Sequence, residues 1–352
     1  MRFGKMSLSK IFLGVHHTPT TFAELREEVR KYGDAQQLAR KDLTGLIISD
    51  TWTATNGTTV YDAPMRVVDV KWYETEDGRT VLGAKCQRVY AMSQMEFDAR
   101  EQDEATEETA QDGIYYYGLT GTSVSIANLT LLELTAGDTI PYGNYTKIFK
   151  NSLRDESKYI LTAGYNNYAY SALRQYLNSS AAAGAWWAPS HIGDSAPSNL
   201  STERGYVAGC SANLLAALSD GNSGYNKVKI KCGGNNKTDD GIISTVADTF
   251  FVSSATEMYG SALTDDGTAD YYWQQESAKL GVVAPSNNNT SLNLLRKTGD
   301  MAYKNIFRDS RLRTSNRATS YYPYMVVWDG TINPTYYVAV SNIPCNPCCV
   351  IY

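Results

Sequence analysis

Residues 250–260 read FFVSSATEMYG, and this stretch decides the fold class. Its apolar start, FFV, predicts a short buried strand. Ser254 and Glu257 have the spacing of a capping box, in which the two side chains satisfy free amides at the start of a helix. Gly260 suits the position just past a helix end. A strand that leads directly into a short capped helix predicts an α+β chain.

The sequence before this stretch predicts more short helices. Residues 171–177 (SALRQYL) predict a short helix with Leu173, Tyr176 and Leu177 as its apolar side. Residues 211–218 (SANLLAAL) predict another, with Ser211 as its N-cap. Between them, residues 186–187 are a tryptophan pair followed by Ala-Pro, which predicts an aromatic anchor in a loop.

The sequence after this stretch predicts antiparallel strands. Residues 324–328 and 331–340 are β-rich in pattern, and the Asp-Gly pair at 329–330 between them is a hairpin signal. Residues 349–352 predict a final strand.

The N-terminal half predicts one amphipathic helix followed by strands. Thr21 and Glu24 form a second capping box, and apolar residues then recur on one face, which predicts a helix over about residues 22–40. Residues 76–78 (EDG) predict a hairpin turn. Residues 100–112 are strongly acidic and predict a solvated loop or an exposed helix edge. Strands are expected at residues 46–49, 60–72, 81–91, 115–117 and 123–134.

A change in character near residues 139–145, where Pro141 and Gly143 lie close together, predicts a domain boundary. We therefore expect two domains, residues 1–145 and residues 146–352. The expected fold class is α+β, mainly antiparallel β with short helices, and the N-terminal domain is β-rich with the one amphipathic helix.

Composition excludes several partner classes. The 352 residues carry a formal net charge of −5, and no basic stripe or polybasic tract is present, so we expect neither nucleic acid nor an anionic membrane as partner. No apolar run reaches membrane-spanning length, and the run at residues 11–15 is too short for a secretion signal. We expect a protein made in the cytoplasm without membrane insertion.

Tyrosine is unusually frequent, with 26 residues, beside abundant Asn, Ser, Thr and Gly. Such residues form adaptable contact surfaces, as in antibody paratopes. The same composition also fits a loop-rich β protein with many half-buried tyrosines.

No arrangement of residues in the sequence indicates catalysis. The three histidines are His16, His17 and His191, and none accompanies a nucleophile motif, a phosphate-binding loop or a zinc-binding helix. We therefore expect no catalytic residue, no cofactor and no metal, and interpret the chain as a non-enzyme. Glu257 is the best-placed carboxylate, but its capping box already explains it.

Two features leave alternatives open. The cysteines of residues 345–349 (CNPCC) favour small buried thiols, with a disulfide or half of a metal site as the alternatives. The acidic turns at residues 239–241 and 265–267 are ordinary turns or, in a lectin-like site, calcium ligands.

Residues 165–352 resemble an uncharacterised domain family of gut Firmicutes and of their phages and prophages. The order and spacing of the motifs carry the resemblance, which rests on YAYSALRQYLNS (168–179), WWAP (186–189), residues 205–218, residues 250–260 and residues 312–351. Two stretches depart from the family text: SRLRTS (310–315) replaces WWLRSP, and IPCNPCC (343–349) replaces the usual GVxPAC. Residues 22–33 and 97–100 also look like the segment that precedes this domain in phage versions.

The tail of that family is similar in layout to the C-type-lectin-like fold of formylglycine-generating enzymes and of retroelement variable proteins. The resemblance implies that the C-terminal domain exposes a recognition face built from loops. The expected ligand-binding residues are Asn316, Arg317, Thr319, Tyr321, Tyr322, Tyr324, Asn333, Tyr336, Tyr337 and Asn342. The oxidative activity of the enzymes is not implied, because no reactive cysteine pair stands at the expected kind of site.

These observations lead to a functional expectation. We expect a phage virion protein, made in the host cytoplasm, that displays the C-terminal domain for host-surface attachment or as a head or tail decoration or fibre. Its N-terminal domain would contact other virion proteins and form a homo-oligomer, and its C-terminal domain would bind a host glycan or protein. One alternative is a prophage-encoded or bacterial carbohydrate- or protein-binding module outside any particle. The other is an enzyme of the sulfatase-modifying type, with a copper- or thiol-dependent oxidation at Cys345, Cys348 or Cys349.

Overall fold

Antiparallel strands and short helices make up the described part of the chain, so the predicted α+β class with mainly antiparallel β is confirmed. The structure, a computed structural model, describes residues 17–31, 41–98, 108–109, 114–119, 129–132, 139–140, 145–149, 165–189, 196–222, 224–234, 242–259, 267–279, 310–319, 322–326, 332–335, 337–339 and 341–352.

The helices are short, and each of the three predicted ones in the second half begins at a serine cap. They are α1 (Phe22–Lys31), α2 (Ala172–Leu177), α3 (Ala212–Leu218), α4 (Ala255–Tyr259) and α5 (Tyr271–Lys279). Ser171 and Ser211 each accept the amide of the residue three positions on, at 3.1 Å. This confirms the predicted N-cap at Ser211. Ser171, predicted as the first residue of its helix, is the N-cap of α2. No helix among the residues described is long and apolar enough to cross a membrane.

Both predicted capping boxes are present. The Ser254 and Glu257 side chains each accept the other residue's backbone amide at 3.0 Å, and α4 follows. The Glu24 amide donates to the Thr21 hydroxyl at 3.2 Å, and the Glu24 carboxylate accepts the Thr21 amide at 3.3 Å. α1 therefore begins where the sequence predicts; residues 32–40, the expected second half of this helix, lie outside the described residues.

The strands form several sheets. In chain order they are β1 (Ile47–Ile48), β2 (Thr51–Thr53), β3 (Val60–Asp62), β4 (Met65–Glu74), β5 (Thr80–Arg88), β6 (Met92–Met95), β7 (Glu108–Thr109), β8 (Ile114–Leu119), β9 (Leu129–Leu132), β10 (Thr139–Ile140), β11 (Tyr145–Phe149), β12 (Val228–Gly233), β13 (Ile243–Asp248), β14 (Phe250–Val252), β15 (Ser310–Ser315), β16 (Pro323–Val326), β17 (Ile332–Asn333), β18 (Ile343–Cys345) and β19 (Pro347–Ile351).

Two five-stranded sheets dominate. The first has the order β1-β4-β5-β19-β14, and the second has the order β17-β16-β15-β18-β6. All the described pairings are antiparallel except that of β15 with β18, which is parallel. Smaller sheets pair β2 with β3, β7 with β10, β12 with β13, and β8 with both β9 and β11.

Both large sheets cross the predicted boundary between residues 145 and 146. β19 pairs with β5 through Cys349 and Cys86, and β18 pairs with β6 through Ile343 and Met95. α1 packs against β5, β19 and α3. Residues 17–98 are thus built into the same sheets and the same hydrophobic core as the C-terminal strands.

The predicted hairpin at residues 76–78 is confirmed, since it joins β4 to β5. The Thr75 amide donates to the Arg79 carbonyl at 2.8 Å across the turn. Gly78 has φ +82°, a left-handed conformation in which a residue with a side chain is strained.

Some predicted strands have different limits in the structure. The run 60–72 is divided into β3 and β4 at Ala63-Pro64, because Pro64 has no amide hydrogen for a ladder. Of residues 331–340, Ile332–Asn333 are a strand and residues 334–335 and 337–339 are not. In the acidic stretch 100–112, residues 108–109 form β7, so those two are not the predicted loop. The other residues of that stretch lie outside the described ranges.

Candidate functional site

The loops predicted to form a recognition face follow β15 and β17 and lie side by side. The Asn316 side chain joins them, since its amide nitrogen donates to the Pro334 carbonyl at 2.9 Å and its oxygen accepts the Ala318 amide at 2.8 Å. Asn316 itself is buried. Its side chain therefore supports the loops from beneath rather than facing solvent.

A second buried asparagine holds the first loop. Asn166 is fully buried, and its side-chain nitrogen lies 3.1, 2.9 and 2.9 Å from the carbonyl oxygens of Asn316, Thr319 and Tyr322. The backbone oxygen of Asn166 accepts the Ser315 hydroxyl at 2.5 Å. One residue thus fixes the loop from β15 to β16 at four points.

A buried arginine does the same for the segment before β18. The Arg311 guanidinium donates to the carbonyls of Tyr337, Val338 and Ser341 at 3.0, 2.6 and 3.3 Å. Arg311 lies on β15, next to the loop that Asn166 holds. Both loop segments are therefore fixed to one buried frame, and a preorganised loop loses less conformational entropy on binding.

The other predicted face residues occupy different environments. Tyr324 packs on the small core around Trp273, and Tyr337 packs on Met325 and Ile343. Asn342 is exposed and donates to the Ser198 hydroxyl at 3.0 Å. Half-buried positions are held by Arg317, Thr319, Tyr322, Tyr324, Asn333 and Tyr337. Tyr321 and Tyr336 lie outside the described residues, and ligand binding by this set stays a prediction.

Arg313 of β15 belongs to a buried ion network centred on Glu257. Beyond its capping box, Glu257 receives the Arg313 guanidinium at 2.7 and 2.6 Å on its two oxygens, and Lys85 Nζ lies 2.7 Å away. Arg313 also donates to the Val252 carbonyl at 2.7 Å. The network ties α4, β5, β14 and β15 together.

The network continues to the start of α5 and to β4. Lys85 Nζ lies 2.6 Å from the Asp270 carboxylate, and Lys71 Nζ lies 3.0 Å from the same carboxylate. Lys71 also approaches Asp69 at 3.5 Å, and Lys41 pairs with Asp69. Each buried charge thus has an opposite charge within contact distance, as a low-dielectric interior requires.

The charges shift the ionisation of the central groups. Burial raises the pKa of Glu257, but the Arg313 and Lys85 charges outweigh burial and bring this pKa well below its usual value. Burial lowers the pKa of Lys85, yet Asp270 and Glu257 together raise it above its usual value. Glu257 and Lys85 are therefore both charged at neutral pH, whereas burial raises the pKa of Asp270 above its usual value.

The cysteines of residues 345–349 are buried, in agreement with the predicted buried thiols. Cys348 and Cys349 lie on β19 between β5 and β14, and burial raises the pKa of the Cys348 thiol to about 11. A raised pKa disfavours the thiolate, the nucleophilic form. Within the described ranges, no group of three or more His, Cys, Asp and Glu residues is placed to hold a metal ion.

Of the histidines and the two acidic turns, the structure describes only His17 and Gly267. His17 is exposed, with its ring nitrogen 3.4 Å from Glu24. His16 and His191 lie outside the described residues, as do residues 239–241 and 265–266 of the two acidic turns.

Sequence reasoning missed the residues that hold the loops. Asn166, Arg311 and Arg313 carry no motif; the one available signal was charge within β-rich segments, as in RLR at 311–313 and AKC at 84–86. A charged residue in a strand that is otherwise apolar indicates a buried ion pair, but not its partner.

The fold and the site define an α+β protein whose C-terminal loops stand on buried polar anchors. Residues 143–351 match the family described as a domain of unknown function, DUF6273. The chain belongs to this family. No curated protein and no solved structure matches the sequence.

Proposed function

We propose that the protein is a phage virion component that displays its C-terminal domain as a ligand-binding module, for host-surface attachment or as a head or tail decoration or fibre. The phage setting and a C-type-lectin-like arrangement of this domain rest on the motif resemblance of residues 165–352 and of residues 22–33 and 97–100. The ligand is a glycan or protein of the host surface.

One observation carries the proposal: the side chains of Asn166 and Arg311 hold the adjacent loops by donating hydrogen bonds to the backbone carbonyls of those loops. Backbone anchoring leaves side chains free to change without loss of the loop shape. Half-buried Arg317, Tyr322 and Asn333 stand on this frame. Rigid loops that present Tyr, Asn and Arg suit recognition, in which such residues contribute much of the binding energy.

The proposed virion contacts lie in the N-terminal part. β3 exposes all three of its residues, and the exposed fractions of Val60 and Tyr61 are 58% and 52%. An apolar patch of this kind on a strand that pairs on one side with β2 supports a contact with other virion proteins or with a second copy. A homo-oligomer would let weak single sites hold a cell by avidity.

Binding of the fluorescently labelled full chain to a panel of gut bacterial strains and immobilised glycans tests the proposal. The Tyr321→Ala/Tyr336→Ala double variant should bind the recognised strains about 10-fold more weakly or worse, with its melting temperature almost unchanged. Tyr271→Ala, which removes a half-buried tyrosine on α5, is the matched control and should bind like the parent chain.

Equal losses of binding and melting temperature in the double variant would show that these tyrosines belong to the core. Absence of binding by a chain that forms defined oligomers would favour a purely structural decoration. Mass spectrometry of purified phage particles then tests the virion setting, since a binding chain that is absent from particles would be the free-standing module.

A further inference from the structure

A cleft of about 300 Å³ opens between α1, the β4–β5 hairpin and the loop after α3. It is separate from the anchored loops, and no motif marks it in the sequence. The residues that determine its chemistry are Arg26, Arg30, Trp72, Arg79 and Asn226. Its volume falls at the lower end of the range for small-molecule sites, about 300–1,000 Å³.

Two arginines give the cleft its positive charge. Arg26 is held in place by the main-chain oxygens of Tyr352, Ala216 and Ser219 at 3.2, 3.1 and 2.7 Å. Arg30, one turn further along α1, has no hydrogen bond or ion pair with any residue in the described ranges. Burial, followed by the neighbouring Arg30 charge, lowers the pKa of Arg26, the direction that a bound anion would reverse.

The acidic groups nearby are already engaged. Asp220 lines the cleft, but its carboxylate accepts the amides of Asn222 and Gly224 at 2.7 and 3.2 Å and closes its own turn. Asp77 pairs with Arg79 at 2.7 Å, and both side chains are largely exposed. Asp220 and Asp77 keep their negative charges, but neither carboxylate forms an ion pair with Arg26 or Arg30 within the described part of the cleft.

Asn226 supplies an independent sign of a ligand. Its side chain is buried, yet its amide nitrogen has no hydrogen-bond partner, although it lines the cleft. A buried donor without an acceptor is costly and rare in folded proteins. The nitrogen is itself buried, so an acceptor oxygen in the cleft removes this cost when the side chain turns towards it.

Trp72 adds a flat apolar surface to these donors. Its exposed fraction is 37%, whereas its cross-strand partner Leu82 is buried under α1. An exposed indole ring beside charged donors suits a ligand that is apolar at one end and anionic at the other.

We propose that this cleft binds a carboxylate-bearing saccharide, with the carboxylate on Arg26 and Arg30, a hydroxyl or ring oxygen on the Asn226 amide, and the apolar face of the sugar ring on Trp72. Arginine presents two parallel N–H donors that match a carboxylate, which makes an acidic sugar a better fit than a neutral one. The proposal does not depend on the displayed loops, because no residue of those loops lines the cleft.

Titration of the full chain with sodium D-glucuronate, followed by NMR or calorimetry, tests the proposal, with D-glucose, acetate and inorganic phosphate as comparison probes. Glucuronate should bind at least about 10-fold more tightly than each of the others, and affinity should fall with added NaCl. Arg30→Gln and Trp72→Ala should each weaken glucuronate binding about 10-fold. Trp72→Phe, which keeps an aromatic ring, should recover part of the loss.

Lys31→Gln is the matched control, since it removes one exposed positive charge from the next position of α1, outside the cleft. It should bind glucuronate like the parent chain. Equal weakening by Lys31→Gln, or no glucuronate binding at all, would overturn the proposal. Equal affinity for acetate, phosphate and glucuronate, with no effect of Trp72→Ala, would overturn the proposal that the ligand is a saccharide. The cleft would then be a general anion site.

Discussion

Lys85 and Asp270 form an ion pair of 2.6 Å in which both side chains are completely buried. They lie 185 positions apart in the chain, one on β5 and the other at the start of α5. Glu257 shares the same ammonium group at 2.7 Å. Lys85 therefore supplies one positive charge to two carboxylates of the interior, and it ties β5 to α4 and to the start of α5.

Replacement of Lys85 by methionine should lower the free energy of unfolding by about 3–5 kcal/mol, because it leaves buried carboxylates without their cation. Urea unfolding followed by circular dichroism measures the change. Lys229→Met is the matched control, since Lys229 pairs with Glu74 at the surface and should cost less than about 1 kcal/mol. Similar losses in the two variants would contradict a buried network.

Acid should weaken the fold partly through Glu257. The pKa of Glu257 is held below its unfolded value of about 4.3, so its contribution is fully present above that pH and is lost as the pH falls. The urea midpoint of the parent chain should therefore decline from about pH 5 towards pH 3. Glu257→Gln keeps the shape of the capping box but removes the charge, and its midpoint should decline less steeply. Parallel profiles would show that Glu257 does not titrate differently on unfolding.

Loss of the Asn166 side chain should loosen one loop selectively. Asn166→Ala removes the donor for three carbonyls, which should cost about 1–3 kcal/mol. In native-state hydrogen exchange, the amides of Asn316 and Thr319 should lose protection, whereas those of β19 should change only by the global loss. Uniform loss across the protein would mean that Asn166 supports the whole core instead.

The tryptophan loop and α3 offer a graded test of burial. Trp186 is buried, donates to the Glu203 carbonyl at 2.7 Å and meets the Tyr176 ring edge-on, so Trp186→Ala should cost about 3–5 kcal/mol. Leu214 is fully buried, whereas its neighbour Leu215 is half-buried, although both are leucines with the same apolar character. Leu214→Ala should therefore lower the melting temperature clearly more than Leu215→Ala. The reverse order would mean that Leu215, and not Leu214, is the residue of α3 that faces the core.

Local features of the fold were predictable from sequence. A capping box needs residues only three positions apart, and both boxes, at Thr21 and at Ser254, occur in the structure. The hairpin turn at residues 76–78 likewise depends only on residues that are adjacent in the chain. In each case the residues that determine the structure are also the residues that are close in sequence.

Partners far apart in the chain were not predictable. Arg313 and Glu257 are separated by 56 positions, and Lys85 and Glu257 by 172. Nothing in the strand AKC at residues 84–86 specifies which carboxylate its lysine meets. Asn166 and Arg311 donate to backbone carbonyls, which every residue has. The composition and the spacing of residues therefore do not indicate that these side chains anchor the loops.

The place of β19 in the middle of the first sheet has a consequence for synthesis on the ribosome. Until residues 347–351 emerge, β5 has an unpaired edge, and its partner is about 260 residues away. At about 5–20 residues per second, this edge stays open for roughly 13–50 s in every round of translation. Contacts between such distant segments also form slowly. The nascent N-terminal strands are therefore the part of the chain on which aggregation competes with folding, and where a chaperone would protect the yield most.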